Sequence, residues 1–177
     1  MRCIAILILS IMPVSALAAD VWQTAGDWTI LINTEDTGKC FASRELDDGS
    51  EVQIGAEPTL DGGYFAIYNE AWTHVEEGQD GTVEFDFGSA RFGGEAIGKI
   101  ENGKHGGYAF FNNPAFIQEF ARSQTVKIIG SQGNAFELDL TGTSKAIRGV
   151  LACQDVLPEP EPEPEAESEA EPQAESE

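Results

Sequence analysis

The chain has 177 residues, of which 41% are hydrophobic, and its formal net charge at pH 7 is −21. Such a charge repels phosphate backbones and anionic lipid surfaces, so it argues against nucleic-acid binding and against docking on lipid headgroups. Any charged partner is therefore expected to be cationic.

The first nineteen residues are predicted to be a signal peptide. Arg2 supplies a short positive region, Ile4 to Val14 an apolar run, and Ala16 to Ala18 the small residues typical of a cleavage site. We place the cleavage after Ala18 or Ala19. The apolar run is short for a membrane span and acidic residues follow it at once, so a retained anchor is the less favoured alternative. We therefore expect an exported protein, periplasmic or secreted, without stable membrane insertion after cleavage.

Length and composition predict one folded domain followed by an acidic tail. Residues 20–157 suffice for a single β-rich core and are too few for two domains of ordinary size. Residues 158–177 begin as alternating proline and glutamate, and they contain nine glutamates and no basic residue. Such a segment buries too little apolar surface to offset the entropy of ordering. We predict that this Pro/Glu-rich tail is disordered and extended.

The cysteines predict one disulfide bond. Removal of the signal peptide takes Cys3 away and leaves Cys40 and Cys153. An even pair in an exported protein is typical of a disulfide, and the C-x-x-C spacing of a redox-active pair is absent. Closing so long a loop stabilises a fold by roughly 4 to 5 kcal/mol in the chain-entropy model.

Alternation of apolar and polar residues predicts eight or nine short strands along the domain. Turn signals separate several of them, and Asn102-Gly103 is the standard signal of a tight hairpin. The strands are expected at Trp28–Asn33, Cys40–Leu46, Glu51–Gly55, Tyr64–Asn69, Thr82–Phe87, Arg91–Ile100, Tyr108–Phe111, Thr125–Ile129 and Ala135–Leu140.

Two short helices are predicted, one after the strand Tyr108–Phe111 and one at the end of the domain. Asn113 as N-cap and Pro114 at the first helical position are typical of a helix start. The apolar residues that follow share one face of that helix, namely Phe116, Ile117, Phe120 and Ala121.

The closing helix is predicted to follow a strand with almost no linker. Gly142 breaks the strand alternation that ends at Leu140, and Thr143 or Ser144 is expected to cap the helix that leads to Cys153. Gly142 is thus the expected structural corner. The whole series favours a mainly β fold, an antiparallel sandwich-like or half-barrel sheet with helices at one end.

The order and spacing of several residues form a pattern: an early tryptophan strand, a cysteine in the next strand, an F-x-x-x-F-A helix, and a closing L-x-G-[ST]-x-x-A-I segment. The pattern is carried by Trp28, Cys40, Phe116, Phe120-Ala121, Leu140 to Ser144, Ala146-Ile147 and Val150-Leu151. It resembles small exported bacterial proteins of the invasion-associated locus B type and related periplasmic families. The resemblance covers the mature domain loosely and is closest over Phe116 to Cys153. It implies an exported β-rich module and no particular chemistry.

Motifs of enzymes and metal sites are missing from the sequence. Neither His74 nor His105 stands near a G-x-S-x-G serine or a free cysteine. The histidine and cysteine spacings of zinc sites and the D-x-D-x-D-G loop of calcium sites are also missing. A metal site joining His74 to nearby glutamates or to His105 is therefore less favoured. We expect no cofactor and no enzymatic activity.

Aromatic residues are the favoured functional surface. Trp22, Tyr64, Tyr68 and Trp72, with His74 close in sequence, are candidate anchors for a protein or glycan partner in the cell envelope. The alternative is that the tyrosines are core and the tryptophans cap the sheet. We expect a non-catalytic binding or interaction module whose partner the sequence does not identify. A hydrolase-like enzyme with an acid site that no motif announces, and a structural envelope protein, are the alternatives.

Overall fold

The structure is a computed structural model, and it describes residues 19–33, 39–57, 62–133 and 135–157. The predicted signal peptide up to Ala18 and the predicted acidic tail lie outside the described residues. The described part of the chain forms ten strands and two helices. These are β1 Asp20–Ala25, β2 Trp28–Asn33, β3 Lys39–Glu45, β4 Glu51–Glu57, β5 Gly62–Asn69, β6 Asp80–Asp86, β7 Arg91–Glu101, β8 Lys104–Phe111, α1 Pro114–Arg122, β9 Thr125–Gly130, β10 Ala135–Asp139 and α2 Thr143–Gln154.

The strands form one open antiparallel sheet in the order β1-β2-β3-β4-β5-β8-β7-β6-β9-β10. The predicted mainly β, antiparallel fold with two short helices is confirmed, and the sheet has one strand more than the upper predicted number. Neighbours in sequence are neighbours in the sheet except where β8 returns beside β5 and β9 joins β6. The chain between β5 and β6, residues 70–79, must therefore cross two strands.

The strand that the sequence did not reveal is β1, at one edge of the sheet. It pairs with β2, and the register shifts between Val21 and Gln23, so Trp22 lies at a bulge. Five of its six residues are exposed, and only Ala25 is buried. A strand with so little burial carries no apolar alternation, and for that reason its sequence gave no strand signal.

Both helices pack on the same side of the sheet, which we call the helix face; the other side is the open face. The helix α1 lies over β5, and α2 lies over β1 to β4. Phe85 of β6 is fully buried at the centre of an aromatic cluster. Its ring centroid lies 5.1 to 5.9 Å from those of Phe65, Phe111, Phe116 and Phe120. Each such buried side chain stabilises the fold by roughly 1.5 to 3 kcal/mol.

The predicted disulfide between Cys40 and Cys153 is confirmed. It joins the start of β3 to the last turn of α2, and both residues are fully buried. The backbone N–H of Cys40 also donates a hydrogen bond of 3.0 Å to Oε1 of Gln154. The bond therefore fixes the end of α2 against the sheet.

The predicted N-cap of α2 is wrong, whereas that of α1 is confirmed. Asn113 accepts a hydrogen bond from the N–H of Ala115, with proline next in the chain. In α2 the N-cap residue is Gly142, with φ 82°, and no side chain caps the helix. Thr143 is fully buried instead. The left-handed conformation of Gly142 turns the chain so sharply that the hydroxyl of Thr143 is carried into the core.

Candidate functional site

The helix face extends beyond the two helices, over β8, β7, β6 and β9, and there it carries glycines. Gly107 pairs with Gly98, Gly81 with Ala96, and Gly130 with Val83. Directly paired residues point to the same face of a sheet, so the small residues lie side by side. Their missing side chains leave an open pocket of about 460 Å³. We call it the glycine-floored pocket.

The interior of the pocket is apolar. The inner end is formed by Phe65 and Phe85, which belong to the buried aromatic cluster. The side walls come from partly or fully buried residues of the same face, namely Ile67, Val83, Ala109, Ile128 and Phe136. Binding of an apolar ligand to these side chains would be favourable by roughly 25 cal/mol per Å² of apolar surface buried.

One wall of the pocket is the crossing segment of residues 70–79, and its first part is held by Asn69. The Asn69 amide is buried, donates to Oγ of Ser50 over 2.8 Å, and accepts from the N–H of Ala71 over 2.8 Å. Further along, Nδ1 of His105 lies 2.8 Å from the carbonyl oxygen of Val75. These bonds place Trp72, His74 and Val75 over the sheet.

The second part of the same wall is bound to β7. The N–H of Gly78 donates to the carbonyl of Gly98 over 2.8 Å, and the N–H of Gly98 donates to the carbonyl of Gln79 over 2.7 Å. A Cβ on Gly98 would collide with the carbonyl oxygen of Glu76. Glycine is therefore required for the close approach, and the wall exists before any ligand binds.

The rim of the pocket is polar. It carries the exposed residues His74, Gln79, Ser131 and Gln132. No lysine or arginine is found in the lining formed by the described ranges. Asp80 also borders the pocket, but it is paired with Ile97, so the alternation of β6 directs its side chain to the open face.

The structure brings two of the five predicted binding residues to this pocket and separates the others. Trp72 and His74 line it. Tyr64 lies on the open face, where its ring centroid is 5.8 Å from that of Phe110. Trp22 lies at the far edge of the sheet, in β1.

The fifth residue, Tyr68, is buried under the open face, with 3% of its surface exposed. Burial, reinforced by the nearby carboxylates of Glu101 and Glu51, raises the pKa of the Tyr68 phenol well above its ordinary value. The neutral phenol is thus held in place by packing, and a partner on either face would not reach it.

A buried carboxylate, Glu119 of α1, belongs to the scaffold. It forms an ion pair with Arg122 and accepts hydrogen bonds from the hydroxyls of Ser89 at 3.2 Å and Ser123 at 3.4 Å. Its bonding capacity is used to tie α1 to the turn after β6. The described residues contain no group of three or more side chains placed to hold a metal ion.

The floor glycines were the part of the site that sequence reasoning missed. Each of these glycines stands two positions from an apolar residue that faces the core. It therefore occupies the next core-facing position of its strand, but contributes no side chain there. The pairs are Gly81 with Val83, Gly98 with Ala96, Gly107 with Ala109, and Gly130 with Ile128. Glycines at the core-facing positions of several neighbouring strands are the sequence signal that would have indicated a pocket.

The sequence matches no protein-family model and none of the curated proteins compared with it. Among solved structures, the chain is similar to the crystal structure of invasion associated protein B from Bartonella henselae, with a TM-score of 0.51 and 14% sequence identity. The match covers 75% of this chain and 97% of that chain. It confirms the predicted resemblance at the level of the fold. No helix of the described segments is long and apolar enough to span a membrane.

Proposed function

We propose that the protein is an exported, non-catalytic binding module of the periplasm or cell exterior, and that the glycine-floored pocket is its binding site. The disulfide supports an oxidising compartment, since such bonds persist outside the cytosol. The fold similarity to an invasion associated protein supports an envelope setting. The predicted signal peptide supports export.

The observation that carries the proposal is a preformed apolar pocket on the helix face of the sheet. Its volume of about 460 Å³ lies within the range of roughly 300 to 1,000 Å³ seen for small-molecule sites. Such sites combine an apolar interior with a few polar groups at the mouth, as this one does. The anchored wall of residues 70–79 lowers the conformational entropy that the protein would lose on binding a ligand.

The test is to fill the pocket and measure binding of a neutral apolar fluorophore, N-phenyl-1-naphthylamine. A Cβ on Gly130 would meet no atom within 4 Å, and this glycine does not have a positive φ. The substitution Gly130→Leu is therefore expected to place its side chain in the pocket without backbone strain. We expect the wild-type protein to enhance the fluorescence and Gly130→Leu to weaken binding at least tenfold.

The matched control is Gly93→Leu, which adds the same side chain to the open face. A Cβ there would meet only the carbonyl oxygen of Val83, at 3.9 Å. Gly93→Leu should bind the fluorophore as the wild type does, and circular dichroism should show both variants folded. Equal binding by the wild type and a folded Gly130→Leu variant would rule out the pocket as the site.

A further inference from the structure

We infer that the ligand of the glycine-floored pocket is an uncharged amphiphile, with an apolar body and a neutral polar end such as a hydroxyl, ester or amide. This inference rests on the proposed function. It follows from the charges and hydrogen-bonding groups of the lining.

An anionic ligand finds no counter-charge in the pocket. The described lining has no lysine or arginine, and the chain as a whole carries a net charge of −21. A carboxylate or phosphate brought against Ile67, Val83 and Ile128 would lose its hydration without gaining a partner, which is strongly unfavourable. An anionic group is therefore excluded from the interior, and at the exposed rim it would find no lysine or arginine to pair with among the described lining residues.

A cationic end finds no partner inside either. Asp80 is the carboxylate that borders the pocket, and the alternation of β6 directs it to the open face. The distant negative charge of the protein attracts cations only weakly in salt, since the Debye length is roughly 8 Å at 0.15 M. A neutral ligand can enter the pocket without the free-energy cost of removing water from an unpaired charge.

The rim supplies neutral hydrogen-bonding groups for such a polar end. Gln132 offers an amide donor and acceptor, Ser131 a hydroxyl, and His74 two ring nitrogens. Gln79 offers its amide donor, since its side-chain oxygen already accepts from the N–H of Glu76 over 3.1 Å. They lie at the mouth, where the residues are exposed, while the apolar residues lie inside. A molecule with one polar end and a hydrocarbon body matches this gradient.

The experiment compares three molecules with the same chain length, n-octanol, n-octanoate and n-octylammonium, as competitors of N-phenyl-1-naphthylamine on the full mature protein. At pH 7 we expect octanol to compete at a concentration at least tenfold lower than either ion. Protonation removes the charge of octanoate, whose carboxyl pKa is about 4 to 5, so its competition should move towards that of octanol when the pH is lowered from 7 to about 5. Octanol itself, measured at both pH values, controls for changes in the protein.

A gain-of-function variant provides a second readout. Adding a cation at the rim with Gln132→Lys should strengthen octanoate competition about fivefold, the effect of one close charge in water. Gln118→Lys on the exposed side of α1 adds the same charge elsewhere and should leave it unchanged.

The outcomes separate the inference from the proposed function. Equal competition by octanoate and octanol at pH 7 would overturn the neutral-ligand inference and leave the pocket as the binding site. Fluorophore binding that Gly130→Leu abolishes, with no competition by any octyl compound, would also overturn it and assign the pocket to an apolar side chain of a protein partner. No fluorophore binding at all would overturn both.

Discussion

Reduction of the Cys40–Cys153 disulfide should remove a large share of the stability of the fold. The bond joins residues 113 positions apart in sequence. It connects β3 to the last turn of α2, so the closed loop contains β4 to β10 and α1, while β1 and β2 lie outside it. Both cysteines are fully buried.

The expected loss follows from the length of that loop. The chain-entropy model gives about 4 to 5 kcal/mol for a loop near 100 residues. The free energy of unfolding of domains of this size is about 5 to 15 kcal/mol. The reduced protein should therefore remain folded, but with a small free energy of unfolding. The corresponding decrease in melting temperature is roughly 10 to 20 °C.

The assay is urea unfolding of the mature protein, oxidised and reduced, followed by far-ultraviolet circular dichroism. The double variant Cys40→Ala, Cys153→Ala should behave like the reduced protein with or without reductant. Its m-value should exceed that of the oxidised protein because the unfolded chain expands. Two free thiols in the purified exported protein, or a loss below about 1 kcal/mol, would refute the reasoning.

Three further predictions concern single residues. Gly142→Val should cost about 1 to 2 kcal/mol because φ is 82°, whereas Gly142→Asn should cost less; equal denaturation midpoints for the two would contradict this. Gly98→Ala should displace the wall of residues 70–79 and weaken fluorophore binding in a protein that circular dichroism still shows folded. Unchanged binding would show that the close approach is dispensable. Since burial raises the pKa of Tyr68, its stabilising contribution should persist below the unfolded pKa of about 10 and be lost at higher pH. Tyr68→Phe should therefore leave the absorbance change at 295 nm unchanged while circular dichroism shows the protein still folded, and a smaller change in the variant would contradict the prediction.

The sequence predicted those elements whose burial alternates with a clear period. The strand β6 is an example, because Val83 and Phe85 alternate with acidic residues and face the core. Edge strand β1 has no such pattern, since its partner lies on one side only and its residues are exposed. The start of α2 is set by the positive φ of Gly142, which the sequence does not reveal. Residue preferences for the N-cap position favoured Thr143 or Ser144 instead.

The site was harder to predict because it depends on register between strands distant in sequence. Trp72 and His74 could be selected by residue type, but nothing local indicates that their segment folds over β7. The floor requires Gly130 beside Val83, a pairing that only the joining of β9 to β6 produces. An absence of side chains is also a weak signal in a single sequence, since most strand glycines mark bulges or bends.

The central claim, that ligands bind in the glycine-floored pocket, is tested most directly by mapping amide chemical shifts while N-phenyl-1-naphthylamine is added to the labelled mature protein. We expect the largest shifts in residues 72–79 and at Gly98, Gly107 and Gly130, with little change on the open face. Shifts concentrated instead around Tyr64 and Phe110 on that open face would contradict the account.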